Sequence, residues 1–239
     1  MTRELAERRA AMERNKLIVA LDLPSVDHAR ALVDTLGSTV SFYKVGLELL
    51  FCGGLDLARD LKRSGKRVFL DMKLLDIANT IERAVSTAAG LGLDFLTVHG
   101  HDTKTLKAAV KGKSNAPLKL LAVTVLTSLD KADLSEQGSH LALSDLVLRR
   151  ARLAYDAGLD GVIASGQEAA AIRAATGTDF LIVTPGIRLP GLAAGDQSRI
   201  TTPQEALRAG ANHLVVGRPI NAAADPVAAA EKFLSTRLV

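Results

Sequence analysis

The stretch Val68-Phe-Leu-Asp-Met-Lys-Leu-Leu-Asp-Ile-Ala-Asn-Thr80 carries Asp71, Lys73 and Asp76 straight after a short apolar run. A parallel strand covered on both faces normally reads as unbroken apolar sequence, so charges at its carboxyl end call for an explanation. Residues two apart in an extended chain share a face, which puts Asp71 and Lys73 on the same side. Alternating carboxylates and ammoniums are suited to steering charge and moving protons. Taken alone, an Asp-x-Lys pair reads first as a salt bridge sealing the end of a barrel. The rest of the chain decides between the two.

Around this stretch a strand–helix alternation runs through the sequence. Strands are expected at Leu17–Asp22, Val40–Val45, Arg67–Asp71, Asp94–His99, Leu118–Leu126, Gly161–Ser165, Phe180–Thr184 and His213–Val216. The intervening helices are expected over Ser25–Leu36, opened by Pro24-Ser25 and closed by Gly37, and over Glu48–Ser64, Thr80–Leu91, Thr103–Lys111, Leu141–Ala157, Gln167–Ala175, Pro203–Ala209 and Ala222–Leu234. Residues 2–15 read as an additional charged N-terminal helix with Leu5, Ala6 and Met12 on its apolar side. Alternation of this kind implies parallel strands joined by right-handed crossovers. Eight units in 239 residues match an α/β protein of the closed (β/α)8 TIM-barrel type. An open doubly wound sheet is the alternative, but no G-x-G-x-x-G follows the first strand. No Pro- or Ser-rich linker divides the chain, so residues 1–239 are expected to form one barrel domain.

Composition narrows the function classes. With 48% hydrophobic residues the chain can bury a large core, yet no uncharged run approaches the roughly 18 residues of a membrane span. The mixed-charge N-terminus lacks the apolar centre of a secretory signal, and the one cysteine, Cys52, leaves no internal disulfide. The expected compartment is the cytoplasm, with no membrane partner. The net charge is +4, but the basic residues are scattered and aromatics make up 3%, too few for the stacking platforms of a nucleic-acid groove. A small anionic metabolite accounts for the positive charge equally well.

Barrel enzymes build their sites at the carboxyl ends of the strands. Those positions hold Asp22, Lys44, Asp71 with Lys73, His99, Thr127, Pro185-Gly186-Ile187-Arg188 and Gly217-Arg218. Polar groups converging on one rim from nearly every strand favour a site over a set of sealing salt bridges. Gly217-Arg218 lies where such barrels bind phosphate: glycine lets backbone N–H groups approach an anion and the guanidinium grips it with two donors. Arg188 and Gln197, on the long loop Pro185–Thr202, are placed to close over the same anion as a lid. Asn79 and Thr80 have a structural alternative as caps of the helix that follows, with Asn79 and Glu82 resembling a capping box. His99 and His101 share a face, but no second cluster completes a metal site. His28, His140 and His213 read as surface or packing residues. No nucleophile elbow, P-loop or zinc spacing is present.

These residues resemble those of the orotidine 5′-phosphate decarboxylase family. The resemblance covers essentially the whole chain, from Leu21-Asp22 to Gly217-Arg218-Pro219-Ile220. It includes D-x-K-x-x-D-I-x-N-T as Asp71 to Thr80, Val123-Thr-Val-Leu-Thr-Ser128, Thr184-Pro-Gly-Ile-Arg188 and Gly195-Asp-Gln197. It implies a homodimer whose two sites each combine Lys44, Asp71 and Lys73 of one chain with Asp76 and Thr80 of the other, with Ile77 among the substrate-binding residues. Asp22 and Lys44 would contact the ribose and the Thr127 region the pyrimidine, while Arg188, Gln197, Gly217 and Arg218 would hold the phosphate. Lys73, kept as ammonium by two carboxylates, would stabilise the carbanion left by loss of CO2 and then protonate it. Asp71, beside the departing carboxylate, would raise the energy of bound substrate. No metal or organic cofactor is implied. Two further readings stand beside this one. A Mg2+-dependent sugar-phosphate decarboxylase or aldolase shares the barrel and the D-x-K-x-x-D strand, but the I-x-N-T extension and the glutamine-bearing loop weigh against it. A non-catalytic phosphometabolite-binding protein has no need of alternating charges.

Overall fold

Eight short apolar runs pair in sequence order as parallel strands, and the last pairs with the first to close a barrel. The strands are β1 (Leu17–Ala20), β2 (Phe42–Val45), β3 (Arg67–Leu74), β4 (Phe95–His99), β5 (Lys119–Val123), β6 (Gly161–Ile163), β7 (Leu181–Thr184) and β8 (His213–Val216). The computed structural model describes residues 15–193, 195 and 198–235. The helix expected over 2–15 therefore lies outside the described residues apart from Asn15, and so does Gln197. No helix among the described residues is long and apolar enough to cross a membrane.

Between the strands run helices α1 (Val26–Leu36), α2 (Leu47–Leu50), α3 (Gly54–Arg63), α4 (Ala78–Ala89), α5 (Thr103–Lys113), α6 (Lys131–Glu136), α7 (Leu143–Asp156), α8 (Ala169–Thr176), α9 (Pro203–Arg208), α10 (Arg218–Asn221) and α11 (Pro226–Leu234). The elements match the expected alternation, with four instructive differences. The helix expected over Glu48–Ser64 divides into α2 and α3, because Gly53 takes a φ of 96°, a left-handed conformation that no continuous helix contains. The polar segment before α7 folds its own short helix α6, opened by a capping box between Asp130 and Asp133. The last expected helix, Ala222–Leu234, starts later, as α11 after the Asp225 cap with Pro226 in the first turn, and the separate short helix α10 precedes its expected start. The capping role for Asn79 and Thr80 is corrected: α4 starts at Ala78 with Ile77 at the cap position and no side-chain cap bond. Both residues therefore lie inside the first turn.

Two apolar layers form. Between sheet and helices lies a continuous core from all around the barrel, while a smaller cluster fills the barrel interior. Side-chain alternation puts Phe42, Phe69 and Phe95 inside at one level, with Phe42 and Phe95 edge to face at 5.0 Å. His213 completes this floor at 5.2 Å from Phe95, and its Nδ1 donates to the Asn15 carbonyl at 2.8 Å. Below it, the Arg67 guanidinium covers the Phe42 ring at 4.0 Å.

The amino-terminal ends of the strands are closed by one device used three times. Asp94, Asp160 and Asn212 immediately precede β4, β6 and β8. Each accepts with its side chain the backbone N–H of the second residue of the preceding strand: Val68 at 2.8 Å, Leu120 at 2.9 Å and Ile182 at 2.8 Å. Each returns its own N–H to the carbonyl of that same residue. A cation from the helix that precedes each strand pair completes the clasp: Lys62 on Asp94, Lys113 on Asp160 and Arg173 on Asn212, at 2.7, 2.6 and 2.6 Å.

Two stability predictions follow from this packing. A Cβ on Gly112 of α5 would fall 2.2 Å from the Glu82 carbonyl oxygen of α4, so Gly112→Ala forces two backbones apart. Overpacking of this kind costs roughly 1–3 kcal/mol, and thermal unfolding should show Tm lower by about 2–10 °C. Burial holds the His213 imidazole down at about 4, with Arg67 and Lys16 acting in the same direction against the Asn15 carbonyl. An unfolded chain then takes up a proton at this site near pH 6.5 while the folded one does not until about pH 4. Stability supplied here is complete above pH 6.5 and falls away as pH drops through that window, by on the order of 2 kcal/mol. Urea midpoints measured across the window should fall less steeply for His213→Gln than for the native chain.

Candidate active site

The interior alternation that lays down the phenylalanine floor raises the charged layer above it. Two residues beyond Phe42, Phe69 and Phe95, on the same inward face, stand Lys44, Asp71 and Thr97, and Asp22 follows two residues after the inward Ala20. They line or underlie a cavity of about 550 Å³ at the carboxyl ends of the strands, bounded also by Lys73, Thr127, Ser128, Arg188, Gly217 and Arg218.

The charges form an unbroken chain. Lys44 Nζ donates to Asp22 Oδ1 at 2.9 Å and stands 3.4 Å from Asp71 Oδ2. Lys73 Nζ donates to that same Oδ2 at 2.9 Å. Thr97 Oγ1 donates to the other Asp71 oxygen, also at 2.9 Å. Lys44 and Asp71 are each 8% exposed. Burial alone would drive Asp71 toward its neutral acid, but the Lys44 and Lys73 ammoniums outweigh it and hold the carboxyl below the ordinary aspartate range. Burial works equally against the Lys44 charge, and Asp71 and Asp22 reverse it, leaving that ammonium above its usual value. The two partners thus agree: the site is an ionised network, held in a place where neither ion would survive alone.

The backbone that delivers Lys73 departs from the regular extended strand assumed for the Asp-x-Lys spacing. Between Leu70 and Leu74 the register of β3 against β4 shifts, and Lys73 takes a φ of 50°. The pairing runs Leu70 to Leu96 and then Leu74 to Val98, so the bulge accommodates extra residues on β3. Asp71 and Lys73 meet all the same, through this bend and not through simple alternation.

Thr127, buried, lies on the cavity wall opposite β1 to β3. Arg218 opens α10 directly after Gly217, and its guanidinium lies against Gly195, where a Cβ would come within 2.9 Å of a guanidinium nitrogen. Arg188 is buried in the wall, its Nε donating to the Ala193 carbonyl at 3.0 Å and one terminal nitrogen to the Ile187 carbonyl at 2.9 Å. It therefore shapes the long loop as well as facing the cavity. That loop has a firm root: Arg188 N–H donates to the Thr201 carbonyl and Thr201 N–H to the Gly186 carbonyl. Ser198 N–H and Oγ reach the Thr127 and Ser128 carbonyls at 3.2 and 3.0 Å. Arg199 is buried beneath, paired with Glu168 at 2.9 Å and donating to the Val125 and Leu126 carbonyls.

Asp76, Ile77 and Thr80 stand apart from the cavity of their own chain. All three are exposed, Ile77 at 73%, and the Asp76 carboxylate accepts the Ile77 N–H. Leu47, Phe51 and Leu75 are exposed as well. His99 and His101 stack at 4.7 Å between ring centres, and burial, with His101, Lys73 and Arg150 nearby, pushes His99 down to about 4. No group of three or more potential metal ligands gathers among the described residues. Sequence reasoning missed Thr97, whose signal was available: a polar residue inside the apolar β4 run, in the inward phase of Phe95. It also missed Glu48, on the single-turn helix α2, and Ser128, in the loop after β5, both of which line the cavity where no periodicity marks a direction.

Comparison with known proteins agrees with this architecture. The sequence model of the orotidine 5′-phosphate decarboxylase / HUMPS family matches residues 15–233. An orotidine 5′-phosphate decarboxylase of Caulobacter sp. (strain K31) is 57% identical over 219 residues, covering 92% of this chain and 95% of that one. One from Rhodopseudomonas palustris (strain BisB5) is 52% identical over 223 residues, covering 93% and 94%. The crystal structure of orotidine 5′-phosphate decarboxylase from Lactobacillus acidophilus superposes with a TM-score of 0.80 at 39% identity, covering 91% of this chain and 96% of that one. With the match running the length of the barrel and through each strand end that carries charge, the chain belongs to the orotidine 5′-phosphate decarboxylase / HUMPS family.

Proposed function

We propose that this protein decarboxylates orotidine 5′-phosphate to UMP in pyrimidine biosynthesis, without a metal ion. The observation that carries the proposal is the continuous Asp22–Lys44–Asp71–Lys73 chain lining the same cavity as Gly217 and Arg218. Loss of CO2 from the pyrimidine leaves an electron pair on a ring carbon with no conjugated sink. The Lys73 ammonium, fixed by Asp71, stabilises that charge as it develops and delivers its proton to the same carbon. Asp71 faces the leaving carboxylate and Lys44 keeps Asp71 ionised, so the repulsion is relieved as CO2 departs. Both Asp71 oxygens are engaged by groups of the chain itself, Oδ2 by two ammoniums and Oδ1 by a hydroxyl. Asp22 and Lys44 hold the ribose and the Thr127 region meets the pyrimidine. Arg188, Gln197, Gly217 and Arg218 hold the phosphate, and the long loop closes over it, so remote binding energy serves to exclude water.

The working form in this proposal is a homodimer. Asp76, Ile77 and Thr80 carry the family motif, yet they lie exposed and away from their own chain's cavity. Ile77 and Phe51, 73% and 86% exposed, give that surface an apolar character suited to burial against a second copy. A two-fold pairing then sends Asp76 and Thr80 of each chain into the other's cavity, where Asp76 supplies the second carboxylate beside Lys73.

Two experiments test these readings. Purified protein in EDTA should convert orotidine 5′-phosphate to UMP, followed by ultraviolet absorbance, and Lys73→Ala should lower kcat by about 10⁴-fold or more while UMP binding persists. Turnover that vanishes with EDTA and returns with Mg2+ would sink the metal-free mechanism and point to the sugar-phosphate branch. Binding of UMP without any turnover by the native chain would leave a phosphometabolite sensor. For the shared site, Lys73→Ala and Asp76→Ala proteins, each inactive alone, should regain activity when their subunits are mixed, because one site of the mixed dimer is intact. No recovery despite exchange would place Asp76 in its own chain's site.

A further inference from the structure

Thr97 sits in β4 with its side chain turned into the barrel, and it is wholly inaccessible to solvent. Its hydroxyl makes two contacts. It accepts the backbone N–H of Lys73 at 2.9 Å and donates to Asp71 Oδ1 at 2.9 Å. The direction of the second bond is not free. An N–H is only a donor and an ionised carboxylate only an acceptor, so the hydroxyl proton has one place to go.

The two contacts land on the two least comfortable groups of the site. Lys73 is one of the two non-glycine residues with positive φ among the described residues, and at the bulge its N–H faces a side chain in place of a ladder carbonyl. Such a backbone is disfavoured for a residue that carries a Cβ and persists only where its surroundings over-determine it. Asp71 is the buried carboxylate on which both lysines converge, and its Oδ2 is available to both only while Oδ1 is held elsewhere. One hydroxyl therefore sets the Lys73 main chain and the Asp71 carboxylate plane together.

We infer that Thr97 is a positioning residue for proton delivery, holding Lys73 in its left-handed backbone conformation and Asp71 in the orientation that seats the Lys73 ammonium. This rests on the decarboxylase reading above for its kinetic consequences, but not for its geometric ones. Without the hydroxyl, the Lys73 backbone loses its hydrogen bond and relaxes toward negative φ, and the ammonium at the end of that side chain moves with it.

Thr97→Val keeps shape and volume and removes both bonds; Thr97→Ser keeps both. For the decarboxylase, the Val variant should lose about 10- to 100-fold in kcat, the size of a hydrogen bond to a charged group, with KM and UMP affinity within about threefold of native. The Ser variant should restore kcat to within a few fold. Should the Val protein not fold, Thr97→Ala, which leaves room for water, takes its place with the same expected split. Independently of turnover, carboxyl 13C NMR should show the Asp71 carboxyl titrating at higher pH in the Val variant than in the native chain or the Ser variant. Unchanged kcat in a folded Val variant, equal losses in Val and Ser, or an unmoved Asp71 titration would overturn the inference. A native chain that does not turn over, with Asp71 still shifting in the Val variant, would instead retain the positioning role and reject the decarboxylase reading.

Discussion

A single carboxylate sets the terms for this barrel. Asp71 is nearly out of water, and an isolated ion there would carry a desolvation cost of several kcal/mol. It is kept ionised because two ammoniums converge on one oxygen and a hydroxyl holds the other. Each of those partners must come from a different direction, which a closed sheet provides: Lys44 from β2, Thr97 from β4, and Lys73 from beyond a bend in β3 itself. The phenylalanine layer beneath keeps water from rising through the barrel axis and so maintains the low dielectric in which these charges act strongly. Remove any one partner and the remaining charges are worse off than if none had been buried.

Much of this was legible in the sequence, for identifiable reasons. Strand order and strand ends were readable from the alternation of apolar runs with helical patterns, and they brought Lys44 and Asp71 to one rim, where the cavity lies. The strand ends were drawn too long for Leu17–Asp22 and Leu118–Leu126, since residues such as Asp22 and Thr127 leave the ladder to reach the cavity. Helices α2 and α3 were read as one because apolar periodicity persists across Gly53 while the backbone reverses there. The bulge at Lys73 left no trace in the sequence. A charged, unbranched residue in left-handed geometry is chosen by its surroundings, and the neighbour that chooses it, Thr97, lies on another strand. Local pattern shows which residues face inward but not how a strand bends to bring them together.

The loops above the cavity divide the work differently. The segment after β7 is tied at its base to its own first residues and, through Ser198, to the carbonyls of Thr127 and Ser128. Arg199, buried with Glu168, fastens the same segment to the loop after β5. The loop after β5 and the long loop after β7 are therefore joined by direct hydrogen bonds to main-chain carbonyls, which ties together two walls of the cavity.

The clasps formed by Asp94, Asp160 and Asn212 lie at the far end of the strands from all of this chemistry. Each fixes the register of a strand pair and ties it to the helix that precedes it, with groups that take no part in the cavity. Closure of the cylinder is thereby underwritten locally, pair by pair, at a distance from the substituents that meet a ligand. Such a scaffold tolerates exchange of its upper loops, because the alignment of its staves does not depend on what those loops hold. Diversification toward other phosphorylated substrates is open to an architecture in which the foundations and the chemistry share strands but not side chains.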